Sequence, residues 1–140
     1  MKKFQISPEE KQSMFEGIAS LLGKKRDILF AYIFGSFNQS DTFSDIDIGI
    51  FTDEKSAQEP VDYEVHLEEE IQSFAKFPVD VRRINSAPLS FSYRVIKEGI
   101  LVVDKNLSKR TEFEGLIFKK YLDFSFYRNQ YLKEVINAPV

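Results

Sequence analysis

Residues 33–50 read IFGSFNQSDTFSDIDIGI. Two apolar runs frame a polar turn. The first ends at Gly35-Ser36 and the second opens as Asp45-Ile46-Asp47-Ile48, a strand expected over Asp45 to Phe51. In a strand, residues i and i+2 share a face. Asp45 and Asp47 therefore point one way, and Ile46, Ile48 and Ile50 the other way, into a core. Two carboxylates side by side on a rigid strand repel unless a cation sits between them. Hard oxygen ligands suit Mg²⁺, which is usually held by one or two carboxylates plus substrate phosphates. The Gly-Ser turn offers backbone N–H groups and a hydroxyl to a phosphate. An isolated Asp-x-Asp is more often a solvated strand edge. Here apolar runs lie on both sides and a Gly-Ser turn closely precedes it, and the combination reads as a nucleoside triphosphate site.

Asp80 is a third carboxylate of interest. It lies in Val79–Ile84, where Val79 and Val81 take one face and Asp80 and Arg82 the other. Asp is depleted inside strands, so a central one wants a reason. A strand laid beside the Asp45/Asp47 strand would bring all three carboxylates to one face. Arg82 could then reach a phosphate, or lie on the surface.

The rest of the chain supplies helices and strands around this segment. Ser7-Pro8-Glu9-Glu10 is a helix start with a capping residue, Pro at the first position and Glu10 placed for a capping box. Met14, Phe15, Ile18, Leu21 and Leu22 recur at helical spacing, and Gly23 is expected to end the helix. Lys24-Lys25-Arg26 reads as a solvated turn. Ile28–Phe34 is a continuous apolar run, expected as a buried strand. Thr52–Glu59 is a polar loop. Pro60 opens a helix with Tyr63, Leu67, Ile71 and Phe74 on one face. Asn85–Ala87 is a turn, Pro88–Glu98 a helix ended by Gly99, and Ile100–Val103 a short strand. A long helix runs from Ser108 or Thr111 to Asn137, with a stripe of Phe113, Leu116, Ile117, Phe124, Tyr127, Tyr131 and Val135. Phe118, Tyr121 and Phe126 fall off or at the margin of that stripe, which suggests docking of a partner or a second copy.

Composition narrows the class. At 140 residues the chain is expected to be one domain, 1–140, and its 43% hydrophobic share is enough for a core. There are fourteen Phe, six Tyr and no Trp. The net charge of −3 argues against a dedicated nucleic-acid binder, which usually shows a basic excess. With no Cys there is no disulfide framework and no thiol chemistry, and one His cannot build a His-based metal site. His66 lies among Glu64, Glu68 and Glu69, and a surface role is expected. Arg94 and Lys97 read as a solvated helix face. The N-terminal stretch lacks the apolar core of a secretory signal. No run approaches the length of a membrane span. A cytoplasmic location is the expectation.

The Gly-Ser to Asp-x-Asp segment resembles the minimal nucleotidyltransferases of the DNA polymerase beta superfamily. Their signature is a hydrophobic strand, Gly-Ser, a spacer, then Asp-x-Asp. Within that group it most resembles the MntA-type adenylyltransferase antitoxins, which are paired with HEPN-domain ribonuclease toxins. Residues 79–123 are similar to that family's tail: a strand with the third Asp, a Pro-led helix, a Gly, a short strand and a long aromatic helix. The likeness spans residues 28–136. One departure is the spacer, Phe37–Ser44, which is shorter than usual and lacks a second Gly, so that Ser40 or Asn38 has to make the turn.

The resemblance implies an α/β (α+β) fold, a small mixed β-sheet flanked by helices with a long C-terminal helix. It implies that Asp45 and Asp47 hold a metal on the triphosphate, and that Asp80 binds a second metal and serves as general base. Two Mg²⁺ ions, with ATP as substrate, would serve an in-line displacement. Gly35 would let the backbone approach the phosphates, and Ser36 would donate to them. The implied acceptor is a tyrosine hydroxyl of a helical HEPN toxin, silenced by AMP. Two alternatives stay open: a non-catalytic antitoxin that only masks its toxin, and an enzyme acting on a small hydroxyl compound.

Overall fold

The computed structural model describes residues 2–53 and 62–137. Helix α1 spans Pro8–Gly23, β1 Ile28–Phe34, α2 Ser36–Gln39, β2 Ile46–Thr52, and α3 Tyr63–Ala75. Then follow β3 Val79–Arg83, α4 Leu89–Glu98, β4 Ile100–Asp104 and α5 Leu107–Asn137. The expected helix start at Pro60, and the loop from residue 54 onward, lie outside the described residues.

The strands form one mixed sheet in the order β3-β2-β1-β4. β1 pairs antiparallel with β2 and with β4, and β2 pairs parallel with β3. The alternation of β2 splits the molecule in two. Ile46, Ile48 and Ile50 turn to one face, where Ile18 and Leu22 of α1 and Leu67, Ile71 and Ala75 of α3 cover them. Phe30, Tyr32 and Phe34 of β1 and Phe51 of β2 turn to the opposite face, under Val95 of α4 and Phe113 and Ile117 of α5. Asp47 falls on this second face by the same alternation.

Local chemistry explains most boundaries. Ser7 and Glu10 close the expected capping box: Ser7 Oγ accepts from the Glu10 N–H at 3.1 Å, and Glu10 Oε1 from the Ser7 N–H at 3.4 Å. Such a cap is worth about 1 kcal/mol. Gly23 does not end α1 in a left-handed turn. It is the last helical residue, and Lys24 follows in right-handed geometry. α5 starts one residue earlier than expected, because Asn106 caps it: its Oδ1 accepts from the Lys109 N–H at 3.0 Å. β2 starts at Ile46, one residue later than expected.

The spacer also departs from expectation. Neither Asn38 nor Ser40 adopts left-handed backbone; Lys76 is the one non-Gly residue with positive φ among those described. The chain instead makes the one-turn helix α2, and Ser40 is extended at φ −136°. Asn38 donates its side-chain amide to the carbonyl of Ile33. Phe37 and Phe43, both fully buried, meet edge to face at 4.8 Å. Phe43 and Phe4 form a backbone bridge, and Phe77 packs on both rings. Aromatic packing anchors this spacer where Ser40 or Asn38 was expected to make the turn.

The expected stripe on α5 is only partly a core stripe. Phe113 and Ile117 are buried, whereas Leu116, Phe124, Tyr127, Tyr131 and Val135 are exposed. Phe74 of α3, expected on the buried face, is also exposed, its ring lying against Gly17. Tyr121 stacks on Tyr93 of α4 at 3.7 Å, and Phe118 meets the same ring edge-on at 5.6 Å. Arg110 secures the helix base, 3.0 Å from Asp104 and paired with Glu114 at 2.6 Å. Beyond Tyr121 no described residue of α5 is buried. No helix among the described residues is long and apolar enough to cross a membrane.

Candidate active site

The site is built where β1 ends beside β2 and β3. Phe34, the last residue of β1, is the register partner of Asp47, and Asp47 is the register partner of Asp80. These residues make a row across three strands at one level. Asp45 sits half-buried just before β2 rather than within it. The three sequence-predicted carboxylates thus come to one end of the sheet.

Gly35 follows Phe34 with φ 83° and ψ −158°, a conformation essentially limited to glycine. A Cβ built there would stand 2.5 Å from Oδ2 of Asp47. Both the backbone and the neighbouring carboxylate therefore require glycine at this position. Gly35 also starts α2, with its carbonyl accepting from the Asn38 and Gln39 N–H groups at 3.1 and 3.2 Å. Ser36 is the first residue of that turn. Gly35 thus packs closely against the Asp47 carboxylate.

Electrostatics mark the same place. The Asp47 carboxyl is pushed up to about 6, first by burial, then by the nearby charges of Asp45 and Asp80. Arg94 and Arg82 oppose that rise. Arg94 is exposed, as the solvated helix face implied. Its guanidinium also lies 5.5 Å from the centre of the Phe34 ring, with Nε 3.4 Å from Oε2 of Glu98. Local spacing on α4 gave no sign of this, because the partner ring comes from β1. Arg82 does share the face of Asp80, with Nε 3.3 Å from Asp80 Oδ2. His66 is at the surface as expected, 3.2 Å from Asp62. Lys25 pairs with Glu70 at 2.9 Å, away from the carboxylates.

Gly49 lets α4 lie close to the sheet. A Cβ there would meet Val95 at 3.0 Å and Ile84 at 3.2 Å. This close approach sets the Arg94 side of α4 over the end of β1. No feature of the sequence reading singled out Gly49.

A polymerase beta nucleotidyltransferase family model matches residues 16–108. The chain belongs to this family. The matched span takes in the whole sheet, and with it the Gly-Ser turn and all three carboxylates. Solved structures agree on the fold of this nucleotidyltransferase. One similar chain comes from a complex of tri-AMPylated Shewanella oneidensis HEPN toxin with MNT antitoxin: 20% identity, TM-score 0.65, covering 90% of this chain and 98% of that one. A second, from the MntA-HepT toxin-antitoxin, shows 20% identity and TM-score 0.64 over 89% of this chain and 98% of that one. A third, from a toxin-antitoxin structure with AMP-PNP, shows 20% identity and TM-score 0.65 over 86% of this chain and 98% of that one. No curated protein matches in sequence.

The donor set fits a divalent cation. All three groups are hard oxygen ligands, and the Asp47 carboxyl is raised first by burial and then by the charges of Asp45 and Asp80. As they stand, no three acidic or imidazole side chains among the described residues converge on one point. Asp80 is engaged by Arg82.

Proposed function

We propose that this nucleotidyltransferase moves AMP from ATP to a hydroxyl of a helical HEPN-type toxin, a tyrosine by preference, and so acts as the antitoxin. The observation that carries the chemistry is the register pairing of Asp47 with Asp80 beside the Gly35 turn. In this reaction the acceptor oxygen bonds to the α-phosphorus, and the bond from that phosphorus to the pyrophosphate oxygen breaks. Divalent cations, Mg²⁺ by preference, would neutralise the triphosphate and polarise the acceptor when held by Asp45, Asp47 and Asp80.

The chain's own residues supply position and charge. The backbone at Gly35 and the Ser36 hydroxyl donate to the terminal phosphates. These lie on the β1 side of the carboxylate row. Asp80 lies on the β3 side, so an acceptor opposite the leaving group meets Asp80, which takes the hydroxyl proton. Arg94, resting over Phe34, offsets charge beside Asp47. Such positioning and charge neutralisation are most of what nucleotidyl transfer asks of a protein.

Support for the partner comes from the fold neighbours, which belong to toxin-antitoxin complexes, one with an AMPylated toxin. The exposed apolar length of α5 also favours a protein partner over a small acceptor. The test is transfer of label from α-labelled ATP to a co-expressed HEPN-type toxin, with loss of its ribonuclease activity. Neutralisation without label transfer, by wild type and by Asp47→Asn alike, would replace catalysis with masking by binding.

A further inference from the structure

Asp80 and Arg82 sit two residues apart on the same face of β3. Arg82 Nε stands 3.3 Å from Asp80 Oδ2, and the guanidinium lies 5.4 Å from the centre of the Phe91 ring on α4. The side chains keep 59% and 41% exposure, so the pair is worth little as a stabilising contact and exchanges readily. Arg82 also has room to move. A cavity of about 680 Å³ opens beside it, between α3, β3 and the start of α4, with Pro88 and Phe91 among its walls. Glu68 of α3, which lines this cavity with Glu64, has its Oε2 accepting from the Val81 N–H at 2.7 Å.

Two arginines oppose the carboxylates, and they are engaged differently. Arg94 pairs with Glu98, outside the carboxylate row. Arg82 pairs with Asp80, the register partner of Asp47.

We infer that Arg82 is the resident counter-ion of Asp80: it holds the Asp80 carboxylate, and a divalent cation binds there only by displacing it. The inference rests on Asp80 being a metal ligand. Displacement leaves the guanidinium seated on Phe91, facing the cavity on the acceptor side of the row. Arg82 is then a positioning residue for Asp80. Its competition with the cation keeps metal affinity low until nucleotide phosphates add their own ligands.

The test is binding of Mn²⁺, an oxygen-seeking probe, to the nucleotide-free protein, followed by electron paramagnetic resonance and calorimetry. Arg82→Ala, and Arg82→Gln as a second variant that keeps the polar stem, should each tighten Mn²⁺ binding about two- to fivefold, the range a part-exposed ion pair supports. The gain should vanish in an Asp80→Asn background, as a double-mutant cycle reads direct coupling. Equal tightening in both backgrounds would show a general field effect and overturn the inference. So would unchanged affinity in Arg82→Ala and Arg82→Gln. Asp80→Asn alone separates the two levels. If it weakens Mn²⁺ binding while Arg82 variants change nothing, the ligand assignment stands and the exchange fails. If it leaves Mn²⁺ binding unchanged, the ligand assignment fails and takes the exchange with it.

Discussion

Asp47 and Asp80 are register partners across the parallel β2–β3 pair. Parallel register repeats evenly, so the pairing places the two carboxylates side by side on the same face. Asp45 adds a third charge from the turn before β2. The glycine at the end of β1 then presses against one of these carboxylates. Sheet topology, rather than any single loop, assembles the site.

Conservative removal of each carboxylate separates their roles. Asp45→Asn and Asp47→Asn keep side-chain size and should each reduce AMP transfer to background. Asp80→Asn should leave ATP binding largely intact and cost about 10²–10⁴-fold in rate, the usual worth of a general base, plus any loss from metal ligation. Label transfer and equilibrium dialysis with ATP give the two readouts. Wild-type transfer by Asp47→Asn would remove the assignment.

Gly35→Ala is expected to damage both fold and chemistry. Alanine at φ 83° and ψ −158° is strained, by about 1–3 kcal/mol. The added methyl also meets Asp47 Oδ2 and must drive the carboxylate aside. A lower melting temperature together with lost transfer is the expected result. Full activity at unchanged melting temperature would mean that the Gly35–Asp47 contact is unimportant.

The Asp47 carboxyl predicts a pH signature in metal-free protein. Its folded value, about 6, lies above the ordinary 3.8. The folded state therefore binds this proton more tightly than the unfolded state does, and its contribution to stability is lost as pH rises from about 4 to about 6. Asp47→Asn abolishes that loss. In the presence of a chelator, the variant should melt higher than wild type at pH 7.5, and the gap should close near pH 4. A constant gap over that range would place the effect elsewhere.

The placement of the carboxylates was legible because it is largely local in sequence. Ile46, Ile48 and Ile50 announced β2, and Asp47 between them took the other face by arithmetic, while Asp45 lies just before the strand. Asp80 was legible for a related reason, standing between two valines in a short strand. Arg94 was not, because its contact with Phe34 crosses from α4 to β1 and leaves no periodic trace. The turn after Ser36 was misjudged for the same kind of reason. The packing of Phe37 on Phe43 and of Phe43 on Phe77 comes from distant segments, and it removes the need for a left-handed residue. The extent of α5 was read well, while its burial was not. Helical periodicity reports which residues share a stripe, not whether anything covers it.

That uncovered stripe gives the last prediction. α5 has 31 residues, roughly 45 Å of helix at about 1.5 Å per residue, yet its buried residues are Phe113 and Ile117, near its start. Farther along, Leu122, Phe126, Tyr127 and Ile136 are 62% exposed or more. A helix that is apolar around much of its circumference is usually enclosed. Phe118 and Phe126 should therefore behave differently. Phe118 touches Tyr93, so Phe118→Ser removes an aromatic pair worth about 0.5–1.5 kcal/mol and should lower the melting temperature. Phe126 touches only Tyr127 among the ring contacts of the described residues, so Phe126→Ser should change stability by no more than about 0.5 kcal/mol. If this end of α5 seats the toxin, Phe126→Ser should weaken the complex roughly tenfold, as loss of a buried aromatic anchor does. Co-purification and calorimetry with the HEPN-type partner, beside light scattering of the protein alone, separate toxin docking from self-association. Unchanged toxin affinity with a lost dimer would assign this surface to a second copy of the chain, and no change in either would leave α5 without a docking role.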